Sequence, residues 1–225
     1  AWLGWRWKSR LILALEAVQA AMLCWVYLQS GSETAGIFAL DHLSLVLVLL
    51  LDVVGPLTLL AALHHMETEG RRRFQSRFFI AAAILLAATN GLFLSGNLLW
   101  MMFFWQLAML AGFFLLVHDR SFNVWKNMRN IIIINGCGGV AFIAGIILCL
   151  DMAKTLLFRD LLIFRDATSL LLPISFLILA GFIGAAQFPF QGRLMRASTA
   201  NVSVAVLLQA ATVINAGVYL ILRLA

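Results

Sequence analysis

Charge is what this chain has least of. Only 12% of its 225 residues are Asp, Glu, Lys or Arg, against 63% that are hydrophobic. A soluble domain carries about one-quarter charged and about one-half apolar residues. So few charges cannot cover a water-facing surface, and a soluble globular domain is excluded. Proline is scarce as well, at three residues, and no low-complexity linker interrupts the chain. Cysteine is limited to Cys24, Cys137 and Cys149, all inside apolar segments and without CxxC spacing. Buried thiols are therefore expected, rather than a disulfide framework or a thiolate metal site. A nucleotide-binding loop, a nucleophile with its base and a metal-ligand cluster are all missing, so no cofactor, metal or catalytic residue is expected.

What the chain does have is long apolar runs, with 17 Phe and 7 Trp and a mean hydropathy of +0.99. In hydrocarbon every backbone polar group must be satisfied within the protein, which favours helices. The length suits about seven spans of about 20 residues each. The expected fold is an all-α polytopic membrane bundle forming one transmembrane domain over 1–225, with helices near 11–28, 41–63, 78–95, 97–117, 130–150, 170–186 and 202–224. The Ser95-Gly96-Asn97 connection is tight enough to force an antiparallel hairpin.

A net charge of +6 raises the question of nucleic acid, but the distribution of charge excludes it. Alternate loops belong to opposite sides of a membrane, and twelve of the sixteen basic residues fall on one side. Those are Arg6, Lys8, Arg10, Arg71–Arg73, Arg77, Arg120, Lys126, Arg129, Arg193 and Arg196; Lys154, Arg159, Arg165 and Arg223 fall on the other. The positive-inside rule then puts the N-terminus on the cytoplasmic or matrix side, with Trp2, Trp5 and Trp7 as interfacial anchors. Beginning at Ala1 and counting an odd number of helices, the chain reads as processed or as part of a longer one. Residues 151–169 mix apolar and charged side chains, which fits either an amphipathic helix on the interface or a loop packed on a partner.

Polar groups at bilayer depth are few and costly, which makes each a functional candidate. Asp52 lies deepest among the carboxylates, while Glu16 is near enough to the basic end to snorkel. Asn90, Gln106, Asn135, Gln187, Gln209, Thr212 and Asn215 are neutral; such groups bond helices together and hold water but do not exchange protons. Gly55-Pro56 and Gln187-Phe188-Pro189 put proline at membrane depth, where it opens the helical ladder. The four histidines, His42, His64, His65 and His118, sit at helix ends, which argues against a haem pair.

Several pieces, in order and at consistent spacing, resemble one family. They are Asp41-His-Leu-Ser44, Phe78-Phe79, Ser95-Gly-Asn-Leu-Leu with Trp105-Gln-Leu, and the ungapped run from Gly181 to Arg223. Together they resemble the antiporter-like membrane subunits of respiratory complex I and of Mrp-type cation/proton antiporters. The resemblance implies the first half of the antiporter-like fold, including its broken helix at Gln187 and Pro189, in an energy-coupling membrane of a bacterium or mitochondrion. It also implies a proton relay of Glu, Lys and His at positions that hold Gln106, Gly184 and Gln209 here. Gly184 thus marks a lost relay position, and Asp52, Gln106 and Gln209 remain as ion-path candidates.

The function implied is a membrane subunit of a proton-translocating NADH:quinone oxidoreductase assembly, lacking a complete proton path of its own. Such a chain is not catalytic by itself, and its partners are other membrane subunits and the bilayer. Two alternatives stand beside it: a subunit of an ion-coupled transporter of the same family, either a cation/proton antiporter or a bicarbonate and carbon dioxide uptake system, and a purely structural anchor.

Overall fold

The computed structural model describes residues 18–19, 21–25, 27–28, 33–35, 38–68, 75–117, 122–163, 170–187 and 213–224. Among these, seven helices follow a short hairpin. Strands β1 (Glu33–Ala35) and β2 (Phe38–Leu40) precede helices α1 (His42–Thr68), α2 (Gln75–Phe93), α3 (Leu98–Val117) and α4 (Phe122–Met152). Helices α5 (Phe158–Ile163), α6 (Leu171–Gly184) and α7 (Val213–Leu224) complete the order. Residues 18–19, 21–25 and 27–28 are also helical. The protein is an integral membrane helix bundle. Among the described residues, three helices are long and apolar enough to cross a bilayer, over His42–Ala61, Leu98–Leu116 and Arg129–Met152, and two shorter apolar helices cover Arg77–Phe93 and Leu171–Gly184.

Sequence explains where these helices start. Asp41 accepts the backbone N–H of Ser44 at 2.8 Å, capping α1, and Asn97 accepts that of Leu99 at 2.8 Å at the head of α3. Each satisfies a donor that the first helical turn would leave orphaned. Side chains then divide by face. Val46, Leu50, Val53 and Leu57 of α1 are exposed while Val48, Leu51 and Leu59 are buried. Spacings of three and four put the exposed set on one stripe, which is apolar, as a face turned to lipid must be.

Three connections meet at one end of the bundle. β1 pairs antiparallel with β2, and Ala39 N–H donates to Leu94 O at 2.8 Å, tying the hairpin to the α2–α3 turn. Phe158 N–H donates to Gly96 O at 3.1 Å and Leu98 N–H to Leu156 O at 3.0 Å, tying the chain after α4 to the same turn. Alternation of the helices predicts these three connections on one side of the membrane, and here they are hydrogen-bonded to one another.

Local structure departs from the hydropathy reading at short segments. Residues 33–35 form a strand because β2 offers them a ladder. The stretch from 151 to 163 is not one amphipathic helix: α4 ends at Met152, Lys154 adopts a positive φ of 57° that turns the chain, and Leu157 bridges to Asn97 before α5 begins. Buried Phe158 and Leu161 then hold α5 in the core. α1 stays helical through Pro56 and runs on to Thr68. Proline removes one ladder bond and leaves the rest of the helix intact, and Thr58 Oγ1 donates to Gly55 O at 2.8 Å beside it. Pro189, Arg71–Arg73, Arg193 and Arg196 lie outside the described residues.

Small residues let α6 and α7 touch backbone to backbone. A Cβ at Gly217 would lie 2.3 Å from Ala185 N and 2.4 Å from Gly181 O. Backbone atoms cannot swing aside, so Gly217→Ala should force the two helices apart at about 1–3 kcal/mol. Gly136, with nothing within 4 Å of its Cβ position, should accept the same change. Thermal unfolding in detergent checks this contrast: a clear drop in melting temperature for Gly217→Ala and none for Gly136→Ala.

Candidate functional site

Two polar assemblies are buried in this apolar bundle. The first is deep. Asp52 lies ten residues into α1, about 15 Å along the axis, which is half of an apolar layer about 30 Å thick. Asn90 of α2 donates its Nδ2 to Asp52 Oδ1 at 2.9 Å, and both side chains are buried. Composition points to Asp52 and to Asn90 separately. The structure joins them.

The second lies at the hydrogen-bonded end of the bundle and centres on Arg223 of α7. Its guanidinium donates to Ser44 Oγ at 3.1 Å and to the Tyr219 hydroxyl and pairs with Asp41 at 3.4 Å. The Tyr219 hydroxyl donates in turn to Phe93 O at 2.7 Å, and Ser44 Oγ donates to Asp41 Oδ1 at 2.5 Å. Phe158 of α5 covers the guanidinium, its ring centroid 4.8 Å from Arg223 Cζ. One cation thereby ties the start of α1, the end of α2, α5 and α7 together. Sequence reasoning counts Arg223 only as a loop charge. The signal it misses is Tyr219 four residues before Arg223, which puts both on one face of a helix.

Of the positions implied for a relay, Gly184 and Gln106 are among the described residues, and they face different ways. Gly184 ends α6, and a Cβ there would lie 2.3 Å from Trp105 Cζ2 and 2.6 Å from Trp105 Cη2. The Trp105 ring fills the space where a relay lysine would begin. Gln106, one residue on, is exposed and falls into line with exposed Leu99, Phe103, Leu110 and Phe114 of α3. It faces a groove of about 430 Å³ between α3 and α4, lined also by Asn135 and Gly139. A Cβ at Gly139 would sit 3.1 Å from Gln106 Nε2. Gln106 therefore turns away from the core of this chain, because Trp105 takes the inward direction. Past Gly184 the chain leaves the helix: Ala186 has a positive φ of 52°, and exposed Gln187 donates its N–H to Phe182 O at 3.1 Å. Gln209 and Glu16 lie outside the described residues. Among the described residues, no three His, Cys, Asp or Glu side chains converge as a metal site.

Comparison with known proteins follows this architecture. Residues 95–225 match the family model of the NADH:quinone oxidoreductase/Mrp antiporter transmembrane region. Residues 2–89 match that of the NADH-ubiquinone oxidoreductase chain 4 amino terminus. The chain is 31% identical over 193 residues to a Na(+)/H(+) antiporter subunit from Alkalihalophilus pseudofirmus, covering 82% of this chain and 23% of that one. It thus spans about a quarter of the length of such relatives. Its fold superposes on the Mrp complex from Dietzia sp. DQ12-45-1b with a TM-score of 0.75 and 19% identity, over 96% of this chain and 25% of that chain. It also superposes on the membrane-bound sulfane sulfur reductase, an archaeal respiratory membrane complex, with a TM-score of 0.77 and 17% identity, over 94% of this chain and 46% of that chain.

Two substitutions test the assemblies described here. Arg223→Gln should destabilise the protein by about 1.5–3 kcal/mol, the range for hydrogen bonds to a charged group. Asp41→Asn should cost less, because that carboxylate is 40% exposed. Gly184→Lys should lower yield and melting temperature by displacing Trp105, and Trp105→Ala in the same chain should recover part of the loss; size-exclusion profiles and thermal unfolding read both. With more than half of its residues inside the first of these family models, the chain belongs to the NADH:quinone oxidoreductase/Mrp antiporter membrane-subunit family.

Proposed function

We propose that this chain serves as a membrane subunit of an ion-translocating assembly of the Mrp or complex I type, without carrying the family's complete proton relay itself. One observation carries this reading: α3 turns Trp105 toward α6 and Gln106 away from it. A relay needs two groups that titrate near neutral pH to approach each other, and an amide and a glycine supply none. What Gln106 and Asn135 do supply is hydrogen bonding along an otherwise apolar groove. Amides on a membrane-facing surface join neighbouring helices at about 0.6–2 kcal/mol each. That favours a neighbouring membrane protein on this face over a lone anchor.

The relatives matched bear the name of a Na(+)/H(+) antiporter component, which supports a cation/proton antiporter as the assembly. The NADH:quinone oxidoreductase reading rests on the second family model. The chains that copurify decide between them. Mass spectrometry of the gently solubilised assembly should identify further antiporter-type membrane subunits; iron–sulfur and flavin subunits would move the protein to the redox assembly. Recovery of the chain alone and monodisperse would contradict both. The charge asymmetry further supports a cytoplasmic or matrix N-terminus. Labelling with an impermeant thiol reagent, in a background without native cysteines, should then reach a cysteine at Lys154 and not one at Lys126 from outside the membrane.

A further inference from the structure

Glycines along α4 mark where another element comes close, with one exception. A Cβ at Gly138 would lie 2.9 Å from Ile183 Cγ2 and one at Gly145 2.7 Å from Leu177 Cδ2, so both let α6 approach. Gly139 in the same way lets the Gln106 amide of α3 lie against α4. Gly136 meets nothing within 4 Å. Glycine is a poor helix former, and nothing in this chain takes up the close approach that Gly136 permits. Gly136 lines the same groove as Gln106. Gln106 lies eight residues after Leu98 and ten before Leu116, about 12 and 15 Å along α3 and so near the middle of an apolar layer about 30 Å thick. Its side chain is exposed and makes no hydrogen bond among the described residues. Acyl chains offer no donor or acceptor at that depth, where an unsatisfied polar group is costly.

We propose that the groove between α3 and α4 seats one transmembrane helix of a partner subunit, which hydrogen-bonds Gln106 at mid-depth and passes Gly136 backbone to backbone. This inference rests on the reading of the chain as a subunit of a membrane assembly, and it names the element that docks. Polypeptide entering the hydrocarbon layer must satisfy its own backbone, so an occupant that reaches Gln106 is helical. The groove has the matching length. It follows α3 from Gln106 to Phe113, about 10 Å, and α4 from Ile132 to Ile143, about 16 Å, which is two to three turns of a seated helix. Small residues at such a crossing bring helices close enough for side-chain hydrogen bonds between them. An amide both donates and accepts, so Ser, Thr, Asn or Gln on the partner helix satisfies it without placing a charge at that depth.

Two other occupants fit less well. An acyl chain covers the apolar walls but leaves the Gln106 amide unpaired. A second copy of this chain, related by a two-fold axis, brings the same patch of both copies together. Two concave grooves then face each other, and a gap remains where the helix would sit.

Photocrosslinking in the native assembly tests this, with a diazirine amino acid at Val140, which lines the groove and is 68% exposed. The expected adduct, sequenced by mass spectrometry, joins residue 140 to an apolar segment of about 20 residues in another chain, with Ser, Thr, Asn or Gln near its middle. Adducts confined to lipid, to a second copy or to another part of this chain overturn the proposal, as does a complete lack of adducts. A second measurement is the apparent dissociation constant of the purified assembly on dilution, read by native mass spectrometry. Gly136→Leu should raise it about fivefold or more by crowding the crossing, and Gln106→Leu about 3- to 30-fold through the lost hydrogen bond. Thermal unfolding of this chain in detergent should not change in either variant. A melting temperature that falls in step with the affinity would give both residues a role inside this chain and overturn the docked helix. Lipid adducts alongside copurifying antiporter-type subunits would overturn the docked helix and leave the assembly reading standing, so the two failures are distinguishable.

Discussion

A buried guanidinium sets the registers on which the rest of this bundle depends. Arg223 sits at the end of α7 and cannot be left unpaired in apolar surroundings. Its partners, Asp41, Ser44 and Tyr219, come from the head of α1 and from α7 itself, and Tyr219 reaches on to the end of α2. Once that end is pinned, depth follows from helical rise alone. Asp52 falls a little over two turns below Ser44 at mid-layer, level with Asn90 of the helix beside it. The backbone bonds of Ala39, Gly96 and Phe158 close the same end from outside the helices. A membrane protein without a hydrophobic force between its helices relies on such polar ties and on close backbone approach, and this chain uses both.

Close approach also decides what the bundle cannot do. The contact of Gly217 with the backbone of Gly181 and Ala185 brings α7 against α6, and Gly184 leaves room for the Trp105 ring. The same glycines that make the helices fit remove the space and the side chain that a lysine relay would use. Trp105 in turn fixes the rotation of α3, and residue 106 follows onto the outer groove by helical geometry. Loss of a titratable side chain at 184 and outward rotation of 106 are thus two consequences of one packing arrangement.

Much of this was legible in the sequence, and the reasons differ by feature. Hydropathy located the five apolar helices between 41 and 186, because lipid imposes composition on a span more strictly than water does, but not the polar extensions of α1 to Thr68 and of α4 back to Phe122. The family followed from ordered motifs, Asp41-His-Leu-Ser44 through the run to Arg223. Asp52 stood out because a carboxylate at that depth is costly. The pairings were not legible: Asn90 with Asp52 and Arg223 with Asp41 join residues 38 and 182 positions apart, and no local period encodes them. The direction of Gln106 was not legible, because a uniformly apolar helix such as α3 has no polar face to orient it. The 33–40 hairpin and the turn at Lys154 escaped because short strands and a single positive φ leave little trace in composition.

The central claim is that protons do not cross this chain by way of the family's relay positions. Proton flux measured in liposomes containing the intact assembly, with Gln106→Leu compared with the parent, tests it most directly. The account predicts unchanged flux per assembly once subunit stoichiometry is confirmed by mass spectrometry. Flux abolished by Gln106→Leu, with every subunit still present, would contradict it and make α3 part of a working conduit.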